Sequence, residues 1–154
     1  RHILDAAQII KYIDFKKDHI LSDFGSGAGL PGVILSIANT NPNFHVKLYE
    51  KSPVKRAFLR DIQKISKFDI QENVYDYNFI QTDYIVCRAF KKLDLIFDIS
   101  REKVKNPHKL IILKGKNALN DLKKLPKDKN YRYKTVDSIT DKDSKIIIAT
   151  KNGK

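Results

Sequence analysis

The chain predicts an α/β fold, a mostly parallel sheet with helices on both faces and an antiparallel C-terminal hairpin. Apolar runs alternate with helical patterns over residues 20–114. Four of the six glycines fall within 25–32, directly after the first apolar run. The last two apolar runs are separated only by a polar turn around Asp141 and Asp143, too short for a parallel crossover.

Taken in order, an amphipathic stretch over 1–14, with Ile3, Ala6, Ala7, Ile10 and Ile13 on one face, predicts a leading helix. Strands are expected at 20–24, 46–50, 70–75, 84–88 and 110–114, with helices at 30–39, 53–67 and 93–104. Ser52 and Pro53 suit the cap and first position of helix 53–67, and Val54, Phe58, Ile62 and Ile65 space out as its buried stripe. Beyond Lys114 a lysine-rich stretch carries a short helix (Ala118, Leu119, Leu122, Leu125) and leads to strands at 131–136 and 145–149. The 154 residues fit one domain with a real core, without internal repeat or second domain.

Composition bounds the function. There is no apolar stretch near the roughly eighteen residues of a membrane span, no signal-peptide pattern, and Cys87 is the only cysteine. A cytoplasmic, reduced setting is expected. Since the chain begins at Arg1 rather than Met, an upstream segment is expected to have been removed. A net charge of +12 is the footprint of a protein that neutralises phosphates. Lysines far outnumber arginines and isoleucine and asparagine are abundant, so a coding bias also contributes. His2, His19, His45 and His108 have no metal-ligand spacing, and no metal is expected.

The segment Asp23-Phe24-Gly25-Ser26-Gly27-Ala28-Gly29-Leu30-Pro31-Gly32 reads as the floor of a nucleotide-type cofactor site. Glycines between a strand and a helix let backbone approach a ligand that a β-carbon would block. The N–H groups of the following helix, begun by Pro31, are expected to face an anionic ligand group. Gly27-x-Gly29-x-x-Gly32 also satisfies the dinucleotide fingerprint. Charge separates the two: the Asp23 carboxylate at the strand mouth would repel a pyrophosphate, whereas it attracts S-adenosylmethionine, whose methionine end is cationic and which carries no phosphate. Glu50, closing the second strand, is placed to accept hydrogen bonds from ribose hydroxyls of either cofactor.

Lys55 and Arg56 stand in the first turn of helix 53–67, where the helix dipole disfavours cations by roughly 0.3–1 kcal/mol each. Arg60, Lys64 and Lys67 continue that basic face. A solvated surface accounts for such a stripe, and contact with RNA phosphates is the functional reading. The fourth strand ends in Cys87-Arg88-Ala89-Phe90. It carries neither the Asn/Asp-Pro-Pro-aromatic element of amine methylation nor the Pro-Cys nucleophile of pyrimidine-carbon methylation. Cys87 is expected to be a buried, unreactive thiol, and Arg88 a fixed cation at the site.

Arg1-His2-Ile3-Leu4-Asp5, the glycine block with its Leu-Pro-Gly ending, Lys55-Arg56-x-x-Phe-Leu-Arg60, Arg88-Ala89-Phe90 and Leu113-Lys114-Gly115 occur in this order. Together they resemble the RsmG (GidB) family, bacterial 16S ribosomal RNA guanine-N7 methyltransferases. The resemblance implies a Rossmann-like class I S-adenosylmethionine-dependent methyltransferase, and a helical segment upstream of residue 1. It assigns Gly25 and Leu30, beside Asp23 and Gly27, to the methionine and ribose part of the cofactor, Glu50 to the ribose, Val74 and Tyr75 to the adenine, and Arg88 to the pocket. Lys55, Arg56, Lys114 and His2 are assigned to RNA. Tyr75 stands where the family commonly has an acid, with Asp76 a nearby substitute, and Cys87 replaces a usual serine. Guanine N7 offers a lone pair and loses no proton, so no general base is expected and no catalytic residue is assigned. The implied partner is 16S ribosomal RNA or the small subunit, met by a monomer. Open alternatives are a methyltransferase with another substrate, a dinucleotide-binding oxidoreductase or regulator, and a non-catalytic RNA-binding remnant.

Overall fold

The structure, a computed structural model, describes residues 1–152. Seven strands form one sheet in the order β3-β2-β1-β4-β5-β7-β6. β1 (Ile20–Phe24), β2 (His45–Tyr49), β3 (Asp69–Gln71), β4 (Tyr84–Arg88) and β5 (His108–Lys114) are parallel. β6 (Tyr131–Asp137) and β7 (Lys145–Lys151) close the sheet, with β7 antiparallel to both β5 and β6. The expected C-terminal hairpin is therefore present, and β7 is inserted between β5 and β6.

Alternation along the strands divides the core into two layers, as the two-residue side-chain period requires. Ile85 and Cys87 of β4 pack with Phe24, Ile112 and Ile147 against Leu93, Ile96 and Phe97 of α4 (Leu93–Lys103), joined by Ala118 and Leu122 of α5 (Ala118–Lys123). On the opposite face Val86 joins Leu21, Val46, Leu48 and Ile111 under α2 (Gly32–Ala38) and α3 (Pro53–Ile62). Ile9 and Ile13, which follow the short leading helix α1 (His2–Ala7), complete that layer.

Three expectations need correction. The leading helix breaks after Ala7 into a 3-10 turn at Ile10–Tyr12, and Ile3 is 65 % exposed rather than buried. Strand 70–75 ends at Gln71, because the Asn73 side chain accepts from Tyr75 N at 3.2 Å and bends Val74–Asp76 into a 3-10 turn. Helix 53–67 ends at Ile62, after which Ile65 N bonds Ile62 O at 2.9 Å in a tight turn. Most of the anticipated stripe on that helix is exposed, Val54 to 79 %, Phe58 to 51 % and Ile65 to 78 %; only Ile62 packs against the core, partly buried beside the fully buried Leu59.

The order of the strands positions the site. The chain runs outward from β1 to β3 and then returns to lay β4 on the other side of β1. Connections leave the carboxyl ends of β1 and β4 in opposite directions, which opens a crevice there.

Candidate functional site: a cavity at the β1–β4 switch point

The glycine block takes the backbone shapes its composition allows. Gly25, Gly27 and Gly29 have φ of 73°, 59° and 93°, a region costly for residues with a β-carbon. Gly25 N and Ser26 N both donate to Tyr49 O, at 2.9 and 3.0 Å, which ties the loop to the end of β2. A β-carbon on Gly25 would stand 2.2 Å from the Phe90 ring.

Above this loop lies a cavity of about 350 Å³. Gly25, Gly27, Leu30, Glu50, Val74, Tyr75 and Arg88 all line it, so every residue the sequence assigned to the cofactor except Asp23 meets there. Glu50 is 5 % exposed, and its two carboxylate oxygens accept from Gly27 N at 2.8 Å and Ser52 N at 2.9 Å. The carboxylate thus spans the glycine loop and the cap of α3. The 3-10 turn after β3 presents Val74 and Tyr75 to the same space.

Asp23 is placed differently from expectation. It is fully buried behind the loop, and its Oδ2 accepts from Gly32 N at 2.9 Å. The first N–H of α2, expected to face an anionic ligand group, is consumed by the protein's own carboxylate. Oδ1 has no hydrogen-bond partner among the described residues. Burial pushes the Asp23 carboxyl up to about 7, against the pull of the Gly32 hydrogen bond, Ser26 and the Arg88 charge.

A second cavity, of about 410 Å³, opens beyond the end of β4 and includes Asp5, Lys114 and Asn117. The segment Arg88–Lys91 lines both cavities and so forms the wall between them. Within it Ala89 has a positive φ of 49°, a strained conformation of the kind that gathers at functional sites. Cys87, beneath this wall, is buried and its thiol pushed well up by burial and by the Asp23 charge, which makes it a poor nucleophile.

The residues assigned to RNA do not form one patch. Lys55 is exposed and lines the cavity above the glycine loop. Arg56 turns back, and its Nη1 donates to Glu50 O at 2.9 Å and Lys51 O at 2.8 Å, so its guanidinium braces the β2–α3 loop. Lys114 lines the second cavity, paired with Asp121 at 3.1 Å. His2 sits with Nδ1 3.0 Å from Arg88 Nη1. Sequence reasoning missed Asn73, Phe90 and Lys91 as lining residues. The Asx-turn spacing of Asn73 was a readable signal, whereas the place of Phe90 over Gly25 depends on pairing β4 with β1.

A model of the rRNA small subunit methyltransferase G family (GidB) matches residues 1–148. The chain belongs to this family. Relatives named ribosomal RNA small subunit methyltransferase G include one from Pelagibacter ubique, 36 % identical over 152 residues, covering 96 % of this chain and 71 % of that protein. Another, from Rickettsia bellii, is 38 % identical over 149 residues, covering 96 % and 75 %. Among solved structures, a SAM-dependent methyltransferase from Aquifex aeolicus superposes with a TM-score of 0.68 at 13 % identity, covering 97 % of this chain and 90 % of that one. Precorrin-6y C5,15-methyltransferase from Geobacter metallireducens gives 0.67 at 16 % identity, covering 96 % and 87 %. These likenesses establish the Rossmann-like methyltransferase fold. Among the described residues, no helix is long and apolar enough to cross a membrane, and no group of three or more His, Cys, Asp or Glu is placed to hold a metal.

Proposed function

We propose that this chain transfers a methyl group from S-adenosylmethionine to N7 of a guanine in 16S ribosomal RNA, acting as a monomer in the cytoplasm. Membership of the small-subunit methyltransferase family supports the substrate. The observation that carries the choice of cofactor is the Gly32 N–H bonded to Asp23 at 2.9 Å. A pyrophosphate bound at this loop would find that helix donor spent and a buried acid behind it. An adenosyl ligand, which carries no phosphate, needs no such donor.

The residues present fit that ligand. Positive φ at Gly25 and Gly27 exposes backbone where a side chain would fill the cradle. Glu50 is held by two N–H groups at the cavity, a fixed acceptor for ribose hydroxyls. Val74 and Tyr75 offer an apolar edge for adenine, and Arg88 with Phe90 closes the side toward the second cavity. Lys55 and Lys91 at the rim suit the acceptor's phosphates.

The bound cofactor supplies an electrophilic methyl group on a sulfonium. Guanine N7 would offer its own lone pair to that methyl group and would have no proton to lose. The protein therefore needs alignment and a suitable field rather than a base. Incubation with methyl-labelled S-adenosylmethionine and small-subunit RNA, then nucleoside mass spectrometry, should yield N7-methylguanosine. Label in protein alone, or calorimetric preference for NADH over the adenosyl cofactor, would defeat the assignment.

A further inference from the structure

We propose that Asp5 selects guanine, the carboxylate oxygen it leaves without a hydrogen bond reading the N1–H and exocyclic amine of the base held in the second cavity. The inference deepens the guanine-N7 reading above and rests on it.

Asp5 lies on α1, far in sequence from every strand end that forms the site, yet it lines the cavity beyond β4 together with Arg88, Phe90, Lys114 and Ser138. The β6–β7 turn holds it there. Gln8 Nε2 donates to Ser138 Oγ at 3.1 Å, and Ile139 N donates to Gln8 Oε1 at 3.0 Å. Asp5 Oδ1 accepts from Gln8 Nε2 at 3.0 Å and from the Thr140 hydroxyl, while Arg1 pairs with Asp141. Oδ1 is thus occupied by donors from two elements.

Oδ2 accepts no hydrogen bond from the described residues and makes only a long ion pair, with Arg88 Nη1 at 4.0 Å. The Asp5 side chain is 19 % exposed. With one oxygen held by two donors and the other without a hydrogen bond, Asp5 is a preoriented acceptor on the cavity lining, whose rotamer entropy is already lost before a ligand arrives. A structural tie between α1 and the hairpin would need only Oδ1.

A carboxylate accepts and does not donate. Guanine presents two adjacent donors, N1–H and the exocyclic amine, on the edge remote from N7. Adenine presents a lone pair at N1, which would face the carboxylate unpaired. Reading guanine by this edge leaves N7 free to face the wall shared with the cofactor cavity. The cavity's about 410 Å³ accommodates a purine. Lys91 and Lys116, lining it without an ion pair among the described residues, suit the flanking phosphates. The carboxylate also opposes the positive charge that the base acquires on methylation.

Asp5→Asn tests this, because the amide oxygen can keep the bonds from Gln8 and Thr140 while an NH2 replaces the other acceptor. After the modified guanosine is mapped, RNA carrying guanosine or inosine at that position is compared in single-turnover assays. Inosine keeps N7 and N1–H and lacks the amine. Wild type should prefer guanosine by about tenfold in kcat/KM, Asp5→Asn should lose about 10- to 100-fold on guanosine, and its preference should collapse toward one. Cofactor affinity by calorimetry should stay within about twofold, since Asp5 does not line that cavity. An unchanged guanosine-to-inosine ratio in Asp5→Asn, whatever happens to rate or folding, overturns the proposal and leaves the methyltransferase reading standing. Absence of N7-methylguanosine with wild type overturns both.

Discussion

The Phe90 ring closes over Gly25 so tightly that one added β-carbon would stand 2.2 Å from its Cδ2 atom. This close approach joins the β1 loop to the wall between the two cavities. Gly25→Ala should therefore displace Phe90 and weaken S-adenosylmethionine binding at least tenfold by calorimetry. Adding Phe90→Ala should recover part of that loss, leaving the positive φ as the residual cost, about 1 kcal/mol. Equal affinities for Gly25→Ala and wild type would show that the ring does not shape the cavity.

Lys55 and Arg56, adjacent in sequence, should separate in experiment. Lys55→Glu should weaken RNA binding and lower the slope of log affinity against log salt by about one or more, with the melting temperature unchanged. Arg56→Glu removes the donor to Glu50 O and Lys51 O, and should lower the melting temperature by several degrees, as about 1–2 kcal/mol would. Filter binding across a salt series and calorimetry read the two effects. Identical behaviour of the two variants would contradict the bracing role.

Asp23 should make stability depend on pH with an inverted sign. Its folded-state value, about 7, lies above the ordinary 3.8, so the folded protein holds the proton more tightly than the unfolded chain. That contribution is complete below about pH 4, declines as pH rises toward 7, and is gone above it. His108 acts oppositely below its ordinary 6.5, because burial lowers it and favours the neutral ring. Comparing wild type with Asp23→Asn at each pH cancels the histidine. The melting temperature of wild type should fall relative to the variant between about pH 4 and pH 7; parallel curves would remove the buried acid from the account.

On α3, Leu59 is fully buried and Phe58 is 51 % exposed. Leu59→Ala should cost about 2–5 kcal/mol in urea unfolding, while Phe58→Ala should stay within about 0.5 kcal/mol. A large loss at Phe58 would restore the stripe anticipated from the spacing.

Much of the fold was legible because two periodicities are local. Alternating apolar runs mark the strands, and the glycine cluster after Phe24 marks the loop whether or not the sheet has formed. The position of Glu50 at the end of its strand was readable for the same reason. The helix 53–67 misled because its apolar spacing fits a helical face, yet no element of the described chain packs over Val54, Phe58 and Ile65; burial depends on a neighbour, which periodicity does not specify.

What residue order settled is the alternation of elements, the flexible loop and the kinds of charge available, since these follow from backbone permissions and side-chain chemistry within a few residues. Folding in three dimensions settled which charges meet. It turned Asp23 inward onto Gly32, brought His2 and Asp5 from the first helix to Arg88 at the end of β4, and spent Arg56 on two carbonyls. Those pairings arise from strand order and from the clasp of α1 on the β6–β7 turn. Contacts between segments 80 to 130 residues apart are determined by the packing of the whole sheet, and no local pattern encodes them.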